Sequence, residues 1–134
     1  MADATTTAVQ RAGEGLRTEI STGLHAWTGD GKRTDELSDP AGPNPFAQLL
    51  GALASCMAMT ARLYADRKGW ALDEVRVAVS NDREEGHVLE RLRAEVSLSG
   101  GLSDEERDRV FTIATRCPVH RTLAPAVAIE AVLV

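Results

Sequence analysis

A chain of 134 residues with 43% apolar and 26% charged side chains has the balance of one ordinary globular domain, which argues against a disordered chain. The formal net charge of −5, with Arg91 and Arg93 interleaved with Glu90 and Glu95, offers no basic stripe for phosphates and argues against a nucleic-acid partner. Two cysteines are too few for a secreted disulfide scaffold, and residues 1–15 hold no apolar run of signal-peptide length, so a cytoplasmic chain is expected.

The N-terminal third reads as strands and turns. Thr18, Ile20 and Thr22 alternate with Glu19, Ser21 and Gly23. Gly29-Asp30-Gly31 reads as a turn after the strand holding Trp27, and residues 36–45 as a polar loop marked by prolines. Residues 8–38 are expected to form a meander. A long helix then spans 45–68: Asn44 suits the N-cap, Pro45 the first helical position and Gly69 the position just past the end. Residues 40–61 carry no charge, so nearly every face of this helix should be covered by protein. Gln48, Gly51, Ser55 and Thr60 interrupt the apolar run, which favours a core helix over a membrane span.

Val75, Val77 and Val79 mark a half-buried strand. A second strand shows Val88, Leu92, Ala94, Val96 and Leu98 on one face, with Leu89, Arg91, Arg93, Glu95 and Ser97 opposite, and residues 81–86 as the connecting loop. Ser103 followed by Glu106 predicts a capping box at the start of another helix, with Val110, Ile113 and Ala114 facing inward. That helix should stop at Cys117, because Pro118 pushes the preceding residue out of the helical region. Val127, Ile129, Ala131 and Leu133 form one face of a last, weakly alternating strand. The order of elements is that of an α+β domain.

The two cysteines sit at two helix positions. Cys56 lies mid-helix, where a thiol is often only a small apolar filler; a reactive thiol there needs a nearby cation that its own helix does not supply. Cys117 sits at a helix break, again as filler or as a thiol able to meet a second element. A zinc site from the two cysteines and His25, His87 or His120 lacks the usual paired spacing, and a Cys117–His120 hydrolase pair lacks an oxyanion signature. Residue type and spacing leave packing and chemistry both open.

Three segments carry a resemblance. Gly42-Pro43-Asn44-Pro45-Phe46, with Leu49-Leu50-Gly51-Ala52-Leu53-Ala54-Ser55-Cys56, resembles the first-cysteine helix of the OsmC/Ohr family. Residues 60–70 resemble the continuation of that helix in one subgroup, and Arg116-Cys117-Pro118-Val119-His120-Arg121-Thr122-Leu123 resembles the family's second-cysteine motif. The resemblance implies an intertwined homodimer whose long central helices are wrapped by antiparallel sheets. It further implies a thiol peroxidase that needs no metal or organic cofactor. Cys56 would attack an organic hydroperoxide and Cys117 would resolve the sulfenic acid as an intramolecular disulfide. A lipoyl or thioredoxin-like dithiol would then reduce the disulfide. Phe46, Gln48 and Met59 would line the substrate site, and an N-terminal arginine, Arg17 or alternatively Arg11, would stabilise the Cys56 thiolate. Peroxidases of the family carry a glutamate just after the helix-starting proline to hold that arginine. Here Phe46, Ala47 and Gln48 stand there, and Gln48 supplies at most an uncharged acceptor. The alternative is a redox-sensing or small-molecule-binding member with weak peroxidase activity.

Overall fold

The computed structural model describes residues 5–31, 39–81 and 89–134, which divide into an N-terminal unit, residues 1–49, and a C-terminal unit, residues 50–134. In the N-terminal unit, β1 (Thr6–Gln10), β2 (Thr18–Thr22) and β3 (His25–Gly29) form an antiparallel meander in the order β1-β2-β3. This is the meander expected from the alternation, and Thr18, Ile20 and Thr22 are the half-buried face of β2. The tight turn differs from the sequence reading. Thr22 pairs with His25, so Gly23-Leu24 is the two-residue hairpin turn. Asp30 lies past the end of β3, where its N–H donates to Pro43 O (3.1 Å) and ties the strand to the segment entering the next helix. Gly42 passes so close to β3 that a Cβ there would fall 2.0 Å from Thr28 O.

Helix α1 (Pro45–Lys68) has the predicted bounds. The Asn44 side chain accepts from Ala47 N at 2.8 Å, and Gly69 ends the helix with φ +70. The first residues of α1 belong to the N-terminal unit and the remainder to the C-terminal one.

The C-terminal unit contains a three-stranded sheet of β4 (Leu72–Asn81), β5 (Arg91–Gly100) and β6 (Ala128–Leu133), in that order. The β4–β5 pair is antiparallel; β6 joins β5 in parallel, which requires a crossover. Two helices supply it: α2 (Asp104–Ala114) and α3 (Pro118–Leu123). The capping box of α2 forms in both directions between Ser103 and Glu106. Cys117 has extended geometry (φ −63, ψ 152), as Pro118 demands, but α2 already ends at Ala114. Pro118 then opens α3, a helix the sequence reading omits, because proline suits the first position of a helix as well as ending one. Val88 and most of the expected β4–β5 loop lie outside the described residues.

The core of this unit draws Leu53, Met57 and Ala61 from α1, Leu92, Ala94 and Val96 from β5, and Val110 and Ala114 from α2. Each large apolar side chain buried there stabilises the fold by about 1.5–3 kcal/mol. Leu89, expected on the outer face, is buried as well, since it precedes β5 and escapes that strand's alternation. Hydrogen bonds fix α1 to its neighbours. Arg62 donates to Leu72 O (2.6 Å) and Asp73 O (2.9 Å) at the start of β4, and Arg109 Nε donates to the Tyr64 hydroxyl at 3.1 Å.

One expectation about α1 does not hold within a single chain. Gly51, Ala52, Ser55, Met59 and Leu63 form an exposed face, with Met59 64% and Leu63 70% accessible. The helix is long and apolar enough to cross a membrane by length and composition, and only 17% of its most apolar window is buried.

Candidate functional site

The site in the C-terminal unit begins with the two thiols. Core contacts of Leu53 and Met57 fix the rotation of α1, and this leaves Cys56, between them on the helix surface, half-buried. Cys117 is fully buried at the junction of α2 and α3, held there by the turn that Pro118 imposes. Its Sγ accepts from His120 N at 3.3 Å, so the thiol caps α3. Cys56 is near enough to Cys117 to influence its ionisation. Both cysteines are free thiols.

Burial pushes the Cys117 thiol above its ordinary range, and the neighbouring Cys56 adds to the rise; the N–H groups of His120 and Val119 oppose it by favouring the thiolate. The arrangement therefore pairs a half-accessible thiol with a buried one that stays protonated at neutral pH. Met59, expected at the substrate site, lines an open cavity of about 520 Å³ with Ala58, Leu63 and Val75. Arg62, Asp73 and Glu74 form its polar edge. Among the described residues no cluster of three or more metal-ligating side chains occurs.

The other expected residues belong to the N-terminal unit. Arg11 lies 3.7 Å from Glu19, both exposed. Arg17 is exposed just before β2, and among the described residues no carboxylate is in ion-pair contact with it. Phe46 is half-buried in the first turn of α1. Gln48, expected as an uncharged acceptor, already has partners at both ends of its amide. Its Oε1 accepts from Trp27 Nε1 (3.0 Å) and its Nε2 donates to Pro43 O (3.0 Å). An indole N–H beside apolar surface needs such a partner, and Gln48 is the one it finds.

Sequence reasoning misses Asp30. Its two carboxylate oxygens accept from Gly31 N and Ala41 N, each at 2.8 Å, and these bonds, the Ala41 one foremost, hold the carboxyl below its ordinary range. Arg17 lowers it further by charge. The only sequence signal is the equal spacing of residues 17 and 30 about the β2–β3 turn, which becomes legible once the register is known.

Comparison with known proteins agrees with this architecture. The sequence profile of the family described as OsmC-like protein matches residues 29–132. An uncharacterised protein of Haloferax volcanii is 31% identical over 90 residues, covering 66% of this chain and 68% of its own. An OsmC-like protein from Mycoplasma pneumoniae superposes with a TM-score of 0.82 at 21% identity, over 99% of this chain and 96% of its own. The organic hydroperoxide resistance protein OhrB of Bacillus subtilis gives a TM-score of 0.68 at 19% identity, over 99% and 98% of the two chains. The α+β fold is thus that of OsmC-like structures, and the chain belongs to the OsmC-like protein family.

Proposed function

We propose that the protein is a cytoplasmic, homodimeric thiol peroxidase that reduces organic hydroperoxides. The single observation that carries this reading is the pairing of half-accessible Cys56 with buried Cys117. The Cys56 thiolate attacks the distal peroxide oxygen; the O–O bond breaks, and the leaving alkoxide takes a proton to become an alcohol. Cys56 is left as the sulfenic acid. Cys117 then forms the S–S bond and the sulfenic oxygen leaves as water, so the two-electron oxidation now resides in the disulfide. A dithiol reductant, lipoyl or thioredoxin-like, returns both thiols by exchange. Arg17 is the proposed partner of the thiolate, and Phe46, Gln48 and Met59 the proposed substrate contacts. No metal or organic cofactor has a step in this sequence.

A second reading keeps both thiols but makes the protein a redox sensor or small-molecule binder with weak peroxidase activity. Two observations favour it: α1 has no acidic residue in its first turn, and Gln48 is already engaged by Trp27 and Pro43. Mixing reduced protein with cumene hydroperoxide or tert-butyl hydroperoxide and titrating free thiols separates the two. Rapid loss of both thiols per chain supports the peroxidase; slow loss supports the alternative.

A further inference from the structure

The antiparallel register of β2 and β3 ends at Thr18↔Gly29. That register continued one step past the ladder sets Arg17 across from Asp30, within reach of a long side chain, while their own N–H groups turn away to Glu14 O and Pro43 O. The two members of this pair differ in freedom. Asp30 is short and doubly anchored, by Gly31 N and Ala41 N on its oxygens and by its own N–H on Pro43 O. Arg17 is long and exposed. Arg11, the other arginine among the described residues of the N-terminal unit, is instead beside Glu19.

We propose that Asp30 is the positioning residue for Arg17, the fixed carboxylate that limits where the guanidinium can swing. The proposal rests on the reading that Arg17 serves the Cys56 thiolate, and it gives that arginine a carboxylate from just past β3 where the first turn of α1 supplies none. The N–H groups of Ala41 and Gly31 keep Asp30 ionised throughout the range in which a thiol titrates. A carboxylate already committed to backbone donors does not move to meet the arginine, so the arginine must come to it. Restricting a long side chain in this way raises the fraction of time its donors are aligned without adding a contact to the thiolate itself.

Two measurements on the protein test this. The first is carboxyl ¹³C NMR titration of Asp30 in wild type and in Arg17→Ala. Its pKa should rise when the arginine is removed; an unchanged titration overturns the pairing. The second follows iodoacetamide modification of Cys56 against pH, by peptide mass mapping. Asp30→Asn, which keeps one backbone acceptor, should slow modification at neutral pH about two- to fivefold, the scale of an exposed ion pair. In the Arg17→Ala background the same substitution should have no further effect. A loss that persists in that background means that Asp30 acts on the thiol without Arg17 and overturns the proposal. If Arg17→Ala itself leaves the Cys56 profile unmoved, the arginine assignment fails, and with it the role of Asp30 in thiol activation. The NMR titration then still shows whether the two residues pair, so the two failures are told apart.

Discussion

Replacing Cys117 by Ser, and following oxidation of wild type and variant across pH, tests whether the buried thiol is the slow partner. A free thiol with a pKa of about 8.5 is only ~3% ionised at pH 7. Cys117 is pushed above its ordinary range by burial and by Cys56, so its ionised fraction at that pH lies below this figure. Disulfide closure by thiolate attack should therefore accelerate about tenfold per pH unit between pH 6 and 8, tracking the Cys117 thiolate. Rapid mixing with cumene hydroperoxide, quenching at intervals with dimedone, and intact-mass analysis separate the sulfenic acid from the disulfide. Wild type should show the sulfenic acid accumulating at pH 6 and vanishing sooner as pH rises. Cys117→Ser should complete one turnover and stop at the Cys56 sulfenic acid at every pH. Closure independent of pH over that range would show Cys117 ionised despite its burial and refute the reasoning. A first turnover lost in Cys117→Ser but kept in Cys56→Ser would reverse the roles of the two cysteines.

The remaining expectations concern stability and assembly. Because the folded Cys117 holds its proton to higher pH than an unfolded thiol, the unfolded state binds fewer protons above about pH 8.5. Its contribution to the stability of the reduced protein should be intact below that pH and fall as pH rises further, an effect absent from the chemical denaturation curves of Cys117→Ser. Gly42→Ala should lower unfolding free energy by about 1–3 kcal/mol, since the new methyl group collides with backbone at Thr28 and forces β3 and the entry to α1 apart; an unchanged thermal midpoint would contradict this. Light scattering should give about twice the chain mass of 14.4 kDa, and Met59→Asp together with Leu63→Asp should shift the protein toward monomer. A dimer unaffected by that pair of charges would place the interface elsewhere.

Local chemistry made α1, α2 and the strand faces legible. Asn44-Pro45 and Gly69 bound α1, Ser103 with Glu106 starts α2, and Leu92, Ala94, Val96 and Leu98 take one side of β5; each of these signals acts within a few residues. α3 is not legible, because Pro118 both bars Cys117 from the helical region and suits the first position of a new helix, and the sequence does not say which of the two it does. The parallel pairing of β6 was hidden for a different reason. Its alternation is weak, Ala128 and Val132 flanking Glu130 on one face, and alternation does not state which neighbour a strand joins; that choice is made by the α2–α3 crossover. The same limit applies to the site. Cys56 and Cys117 could each be singled out, but no periodicity connects residues on separate helices, and their contact depends on how far α2 runs before Pro118 turns the chain. The Arg17–Asp30 relation needs the β2–β3 register, which a one-residue slip would abolish.

The exposed side of α1 shows what composition can and cannot encode. A charge-free stretch states that water is to be kept away from a helix, but carries no mark of which chain does the covering. Within one chain, burial reaches Leu53, Met57, Ala61, Tyr64 and Ala65, all on one side of α1. Gly51, Ala52 and Ser55, small residues that allow close approach, continue into Met59 and Leu63 on the uncovered side. Cys56 lies between these two sides, half-buried by its own chain. If a second copy covers the open side, it also dries the surroundings of that thiol, which strengthens any cation placed near the thiolate and protects the sulfenic acid from further oxidation. Assembly and thiol chemistry then depend on the same helix face. A charge introduced at Leu63 should accordingly reduce peroxide turnover as well as dimer stability, although Leu63 is not among the proposed substrate contacts. Turnover that survives in a demonstrably monomeric Leu63→Asp protein would break that link.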